Sequence, residues 1–424
     1  MPDTLDLTTV DVADPALYEN GDPVTLWARL RATQPVFWNN HPPGPGFWAV
    51  MSYRPALEVY RNTDAFTSEL GMRIDSDPAA VQAAAGKQLI VTDPPTHPRL
   101  RQLMNSAFLP RVVSGLERAM RQVIEPLIDQ ALSKDVVDFV SDVAAVLPAA
   151  IICDIMNVPQ AERAMMIDLT SKAFGASVGG DVKCPMSELE KTEAHSEIFL
   201  YYTELVEERR RDPGSDVVSA LIQGDLGGRP LTDEEVLLNC DGLLTGANET
   251  TRHASAAGLL ALIENPDQWQ RLQEGSISLD TAVDEVLRYT APALHVVRVA
   301  TKDVEVGGQM VRAGESVAIW NSSVNRDETV FPDPDRFDLA RTPNRHLTFG
   351  IGPHFCLGAP LARAELKVLL QVLAEKVTDL ELAGPIERMR SNFMWGIESM
   401  PVSLRCNGAP PGLPGGAPAV SWSA

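Results

Sequence analysis

The sequence predicts a mainly α fold with small β-sheets, built as a single large domain around one long central helix. Three observations point there. Runs with the helical spacing of apolar residues fill most of the 424 residues. The β-like runs are few and short. No linker divides the chain, so one domain fits better than the roughly three that length alone suggests.

Taken in order, residues 1–12 read as a flexible tail and 13–406 as the folded body. Residues 407–424 form a Gly/Pro/Ala-rich tail that cannot bury a core and should be disordered. Short β runs are expected at Val36–Trp38 and Phe47–Val50, with His41-Pro-Pro-Gly-Pro-Gly between them, and a short helix at Pro55–Arg61. Gly71–Thr92 has small residues and weak periodicity, which predicts a long, partly helical loop. Arg99–Arg211 is mainly helical, with breaks expected at Pro110, Pro148, Pro159, Gly175–Pro185 and Asp212-Pro213-Gly214. Thr232 followed three residues later by Glu235 is a capping box, and it opens the central helix. That helix should run to Glu264, where Asn265-Pro266 stops it. A further helix, Leu279–Tyr289, precedes strands at Val296–Ala300, Val304–Val306 and Val317–Trp320, with a Gly307-Gly308 turn. The last helix covers Pro360–Val377.

Composition narrows the function classes. Hydrophobic residues make up 45% of the chain, enough for a large core, and no window offers the ~18 uninterrupted apolar residues of a membrane span. Met1–Asp14 is acidic and polar, unlike a secretory signal. The net charge of −21 argues against nucleic-acid and anionic-membrane partners. Five widely spaced cysteines with no C-x-x-C pair argue against a disulfide framework and for a reducing compartment. A cytoplasmic, monomeric protein is expected. Cys153 and Cys240 sit in apolar helical stretches and read as small buried hydrophobes.

Four segments carry chemistry. Phe349-Gly350-Ile351-Gly352-Pro353-His354-Phe355-Cys356-Leu357-Gly358 is a glycine-rich loop that presents one cysteine at a helix N-terminus. The helix's positive end stabilises a thiolate there. A lone thiolate is a poor zinc site but a good axial ligand for haem iron. In the middle of the central helix stands Thr245-Gly246-Ala247-Asn248-Glu249-Thr250-Thr251. A glycine costs about 1 kcal/mol against alanine there, and a threonine hydroxyl can turn back to a preceding carbonyl. Together they make a local widening for a small ligand or water; alone, the pattern also fits a packing notch with Glu249 in solvent. Glu285 and Arg288 share one helix face, and with Arg336 they would form a buried structural clamp. His97 and Arg101 share a face at another helix start and could hold a carboxylate.

This series, in this order, resembles the cytochrome P450 family of the soluble bacterial type, over about Asp14–Cys406. The resemblance implies that the central helix lies across a haem b. It makes Cys356 the thiolate ligand, with Phe349 beside it and Gly350, Gly352 and Gly358 permitting the tight loop. His97, Arg101, Arg298 and His354 match positions that hold haem propionates, although many relatives carry Arg where this chain has His354. Glu285, Arg288 and Arg336 match the structural triad. Glu249 and Thr250 match the acid–alcohol pair that delivers protons for oxygen cleavage, and Ala247 stands where many relatives have a second glycine.

The implied activity is a haem-thiolate monooxygenase that inserts one oxygen atom from O2 into an apolar small molecule, in the tailoring of a terpene, polyketide or peptide. Electrons would come from a ferredoxin with an NAD(P)H-dependent reductase, docked near Arg363, Lys367 and Arg111. The resemblance lines the substrate pocket with Gly71–Thr92, Phe174–Ser187, Leu243–Ala247, Leu294–Val297 and Phe393–Ile397, with His295 and Trp395 as polar handles. Two other readings use the same thiolate: a peroxide-driven peroxygenase, which would not need Glu249 and Thr250, and a non-catalytic haem sensor, which would lack a substrate cavity.

Overall fold

A continuous apolar run at Phe47–Val50 marks a strand at the heart of the first unit. The computed structural model describes residues 10–173 and 187–406. They form two compact units, neither continuous in sequence. The first contains the described residues up to Gln102, then Asp284–Ala359 and Arg388–Gly396. Its five-stranded sheet runs Val36–Asn39, Phe47–Val50, Ser316–Ile319, Val296–Ala300, Phe66–Thr67. Trp48 pairs with Val317 in parallel, whereas Val36–Val50, Val296–Ile319 and Phe66–Ala300 are antiparallel pairs. Both faces are buried. Phe47, Ala49, Ala318 and Trp320 pack with Tyr18, Trp27 and Leu30. Val50, Val317 and Ile319 pack on the other face with Val59 and Tyr60. Strands buried on both sides carry few polar residues, which is why these runs are nearly all apolar.

The second unit contains the described parts of Leu103–Val283, Pro360–Glu387 and the segment from Ile397 to Cys406. Helices dominate it: Pro110–Leu132, Val146–Ile155, Arg163–Ala173, Glu188–Arg211 and the central Asp233–Glu264. At 1.5 Å per residue the central helix is about 48 Å long. Its cap is the one the sequence announces. Thr232 Oγ1 accepts from the Glu235 N–H at 3.2 Å and Glu235 accepts from the Thr232 N–H at 2.8 Å. Arg229 then clamps Glu235 with two bonds of 2.6 and 2.8 Å. A small sheet, in the order Val137–Asp138, Pro401–Arg405, Asp379–Leu382, completes the unit.

Two expectations change. Pro148 does not break a helix; it lies in the first turn of Val146–Ile155, where no intrahelical N–H bond is lost. The expected tail 1–12 lies mostly outside the described residues, but Val12 is buried and its N–H donates to Asn39. Gly71–Thr92 holds one capped helix, Pro78–Ala84, and a tight turn at Leu89–Val91. Residues 407–424 and all of the expected break at Gly175–Pro185 lie outside the described residues. Among the described residues no helix is long and apolar enough to cross a membrane. Burial pushes the thiols of Cys153 and Cys240 up to about 12, as expected of inert core cysteines.

Candidate active site

The cysteine loop belongs to the first unit and is shaped by glycines at two strained positions. Gly350 has φ +65° and Gly352 φ +83°, and a Cβ on Gly352 would stand 3.0 Å from the Tyr60 carbonyl oxygen. The Cys356 N–H donates to the Phe349 carbonyl at 2.9 Å, so Phe349 closes the loop around the cysteine. The ring of Phe349 stands edge-on to Phe355, 6.1 Å between centroids. A Cβ on Gly358 would lie 4.0 Å from Cys356 Sγ, so glycine keeps that side of the sulfur open. The helix Ala359–Lys376 starts three residues past the cysteine.

Four of the expected basic groups share the same unit and act on one another. The rings of His97 and His354 are 4.2 Å apart. Burial first, then the charges of His354, Arg101 and Arg298, hold His97 down to about 4. Burial also lowers Arg298 and Arg101, while Cys356 pulls Arg101 the other way. His354 is additionally tied to an anion: its Nε2 is 3.5 Å from Asp93 and 3.1 Å from Ser68 Oγ. Burial opposes ionisation of Asp93, yet hydrogen bonds from His354, Thr67 and the Ser68 N–H take it down to about 2. Asp93 is thus a partner that the sequence reading did not single out.

This cluster fits an anionic group. Both ring nitrogens of His97 are buried and have no hydrogen-bond partner among the described residues. A carboxylate of the ligand would accept from the one ring N–H of neutral His97 and answer the charges of Arg101 and Arg298.

Glu285 and Arg288 form the clamp, but with a different third member. Both are fully buried, joined by two bonds of 2.8 Å. Arg341, not Arg336, completes it: Arg341 Nε lies 3.2 Å from both Glu285 oxygens. The Arg336 side chain is exposed, and only its carbonyl takes part, accepting from Arg288 and Arg341. Asn344 Nδ2 and the Asp338 N–H also donate to Glu285. One carboxylate therefore fastens the segment that leads into the cysteine loop.

The second unit holds Ala247, Glu249 and Thr250. The helix stays α through this stretch, without a break. The Thr250 hydroxyl donates to the Gly246 carbonyl at 3.1 Å, the back-bond that threonine permits. Gly246 is exposed, with nothing within 4 Å of where its Cβ would be, and Ala247 is half-buried. The helix thus presents an opening beside Thr250, while Glu249 lies near Arg252 at 3.9 Å.

Three expected pocket walls meet within the first unit. Val297 N–H donates to the Met72 carbonyl, and Leu294 N–H to the Phe393 carbonyl, both at 2.8 Å. His295 is not a polar handle. It is fully buried, stacks on Trp320 and accepts from the Ile74 N–H, and burial holds it down to about 3. Trp395 packs edge-on against Trp27. Of Phe174–Ser187, only Ser187 is among the described residues, where it caps the helix Glu188–Arg211. Lys367 is tied to Asp280 at 2.7 Å. Sequence reasoning missed Arg252, His253 and Glu365, buried polar residues whose signal was only their place in apolar helices.

The chain matches known proteins over nearly its whole length. The sequence profile for cytochrome P450 matches residues 46–276 and 278–376. Cytochrome P450 NovI of Streptomyces niveus is 38% identical over 400 residues, 94% of this chain and 97% of that protein. Linalool 8-monooxygenase of Pseudomonas putida is 34% identical, covering 93% and 98% of the two chains. The crystal structure of OxyD, a P450 involved in the biosynthesis of vancomycin-type antibiotics, superposes with a TM-score of 0.87 at 38% identity, covering 94% of this chain and all of that one. A glycine-shaped cysteine loop, a buried clamp on the segment that leads into it and relatives matched end to end agree: the chain belongs to the cytochrome P450 family and is a haem-thiolate monooxygenase.

Proposed function

We propose that this monooxygenase hydroxylates or epoxidises a medium or large apolar product of secondary metabolism, such as a terpene, polyketide or peptide. The names of its relatives support the class: one acts on linalool and another serves antibiotic biosynthesis. The mostly apolar or small walls that meet in the first unit, Leu294–Val297 and Phe393–Gly396, suit such a molecule.

Cys356 would ligate haem b, with His97, Arg101 and Arg298 holding its propionates and His354 sharing itself between them and Asp93. Haem bound through a thiolate supplies the oxygen activation, using electrons from a ferredoxin and an NAD(P)H-dependent reductase. The chain's own part is proton management. Thr250 can swing its hydroxyl from the Gly246 carbonyl to donate a hydrogen bond into the opening beside it. Glu249 carries protons to that position by rotation or through water, as a general acid. Phe349 and the Gly350–Gly358 loop shield the sulfur and limit its neighbours, which tunes the thiolate. Arg363, Lys367 and Arg111 are the basic groups for an acidic ferredoxin, Lys367 also holding Asp280 at 2.7 Å. The protein works as a cytoplasmic monomer.

The observation that carries the proton assignment is the Thr250 hydroxyl parked on Gly246 beside an open helix face. A peroxygenase would not need it. Thr250→Ala should keep haem but lower product formed per NAD(P)H consumed by on the order of tenfold, with the difference appearing as hydrogen peroxide. Unchanged coupling refutes the assignment. A library screen for ligand-induced Soret shifts identifies the substrate class.

A further inference from the structure

One turn beyond Glu249, the central helix buries a charge that the proton assignment does not use. Arg252 is 5% exposed and His253 fully buried. A guanidinium withdrawn from water is costly unless an anion answers it. Burial pulls Arg252 down from its ordinary value, and the two anions that oppose this are Glu249 and Glu398.

The geometry ranks them. Glu249 Oε1 stands 3.9 Å from Arg252 Nη2, at the spacing of one helical turn. Glu398 lies in the strand Ile397–Ser399 and is exposed, so water screens it. His253 offers no charge. Burial, then the neighbouring Arg252, holds it neutral, with Nε2 3.3 Å from Arg252 Nη2 and Nδ1 facing the Ile397 N–H at 3.3 Å. From the helix Ala359–Lys376, Glu365 reaches Thr251, and burial raises its carboxyl to about 8, so it too is neutral at pH 7. Farther back on the central helix stands Asp241, within reach of the charge of His195 rather than of Arg252. The buried permanent cation at Glu249 is therefore Arg252.

We propose that Arg252 is a positioning residue for Glu249: its buried guanidinium keeps the carboxylate ionised and turned along the helix until a proton is to be moved. The inference rests on the reading of Glu249 as the proton carrier. A pair at 3.9 Å is long for a bridge, which suits a partner that must let go. Its 3.9 Å separation is more than 1 Å longer than the 2.8 Å contact of Glu285 with Arg288. In this arrangement Glu249 accepts a proton only when it rotates away from Arg252, so protonation and delivery become one movement.

The test is made on the haem-loaded enzyme by two readouts. The first is pH-difference infrared spectroscopy, in which the band of Glu249 is the carboxyl signal absent from Glu249→Gln. The second is the pH dependence of product formed per NAD(P)H. In Arg252→Gln the infrared midpoint should move to higher pH by about one unit or more, since a cation at this distance favours the ionised acid. The acid limb of the coupling profile should move with it. Arg252→Lys should restore most of the wild-type midpoint. An unmoved midpoint in folded Arg252→Gln overturns the proposal. If Arg252→Gln does not fold, Arg252→Met decides: an upward shift of the midpoint supports the proposal, and none overturns it. If Glu249→Gln itself leaves coupling unchanged, the reading of Glu249 fails instead. A coupling defect in Glu249→Gln with no shift in the Arg252 variants overturns only the role of Arg252.

Discussion

Glu285→Gln removes one charge and no volume. Its carboxylate receives two bonds of 2.8 Å from Arg288, two of 3.2 Å from Arg341, one of 3.1 Å from Asn344 and one of 3.0 Å from the Asp338 N–H. Glutamine keeps one acceptor oxygen, enough for Asn344 or Asp338, but points an amide N–H at arginine donors. Two guanidinium groups, one of them fully buried, lose their anion. Breaking a buried pair from one side costs about 3–5 kcal/mol. Against a typical stability of 5–15 kcal/mol the loss is large. Urea unfolding followed by tryptophan fluorescence should show a midpoint lower by about 1 M, taking a slope near 3 kcal/mol per M or steeper. The haem-to-protein ratio should fall too, because residues 336–344 hang on Glu285 and feed the cysteine loop. Glu285→Leu combined with Arg288→Leu should cost less than the sum of the single changes. A Glu285→Gln midpoint within about 0.2 M of wild type would falsify the clamp as the anchor of this segment.

Cys356→Ser should abolish the thiolate signature of the reduced carbon monoxide complex; a wild-type spectrum would remove Cys356 as ligand. His41 bridges Asp11 at 2.7 Å and Asp75 at 3.1 Å; burial opposes its charge, but these carboxylates raise its pKa. Its stabilising effect is full below about 6.5 and fades as pH rises through the raised value. Thermal unfolding of His41→Gln should therefore differ from wild type at pH 6 and converge on it at alkaline pH; a constant gap refutes the bridge. Glu365 has the same sign. Its carboxyl, raised from 4.5 to about 8, loses stability as pH climbs through that window. Glu365→Gln should be more stable than wild type at pH 8 and should flatten that dependence.

Local signals carried much of the fold. The capping box at Thr232 and the Asn265-Pro266 stop mark both ends of the central helix correctly, because caps and prolines act on their own neighbours. The strand Phe47–Val50 is found at its expected bounds, but its partner is not, because a parallel pairing with Ser316–Ile319 leaves no local trace. The clamp shows the same limit. Glu285 and Arg288 are legible as neighbours on a helix, whereas Arg341 enters from a turn whose path is set by tertiary hydrogen bonds to backbone carbonyls at 332, 333 and 336. His295 misled because a buried histidine and a pocket histidine look alike in sequence; the Ile74 N–H and Trp320 decide between them.

The pairing of Trp48 with Val317 also has a history in time. On the ribosome, the strand Phe47–Val50 emerges early and waits for Ser316–Ile319 on the order of half a minute at ordinary translation rates. Both of its faces are greasy, and one edge stays open throughout. Meanwhile residues 103–283, which contribute to the other unit, leave the exit tunnel and can begin to condense. Cys356 arrives later still, so the nascent protein cannot capture its cofactor until most of the polypeptide has been made. Slowing initiation, which spaces the ribosomes and dilutes the waiting strands, should raise the yield of soluble enzyme more than extra haem supplied to the culture.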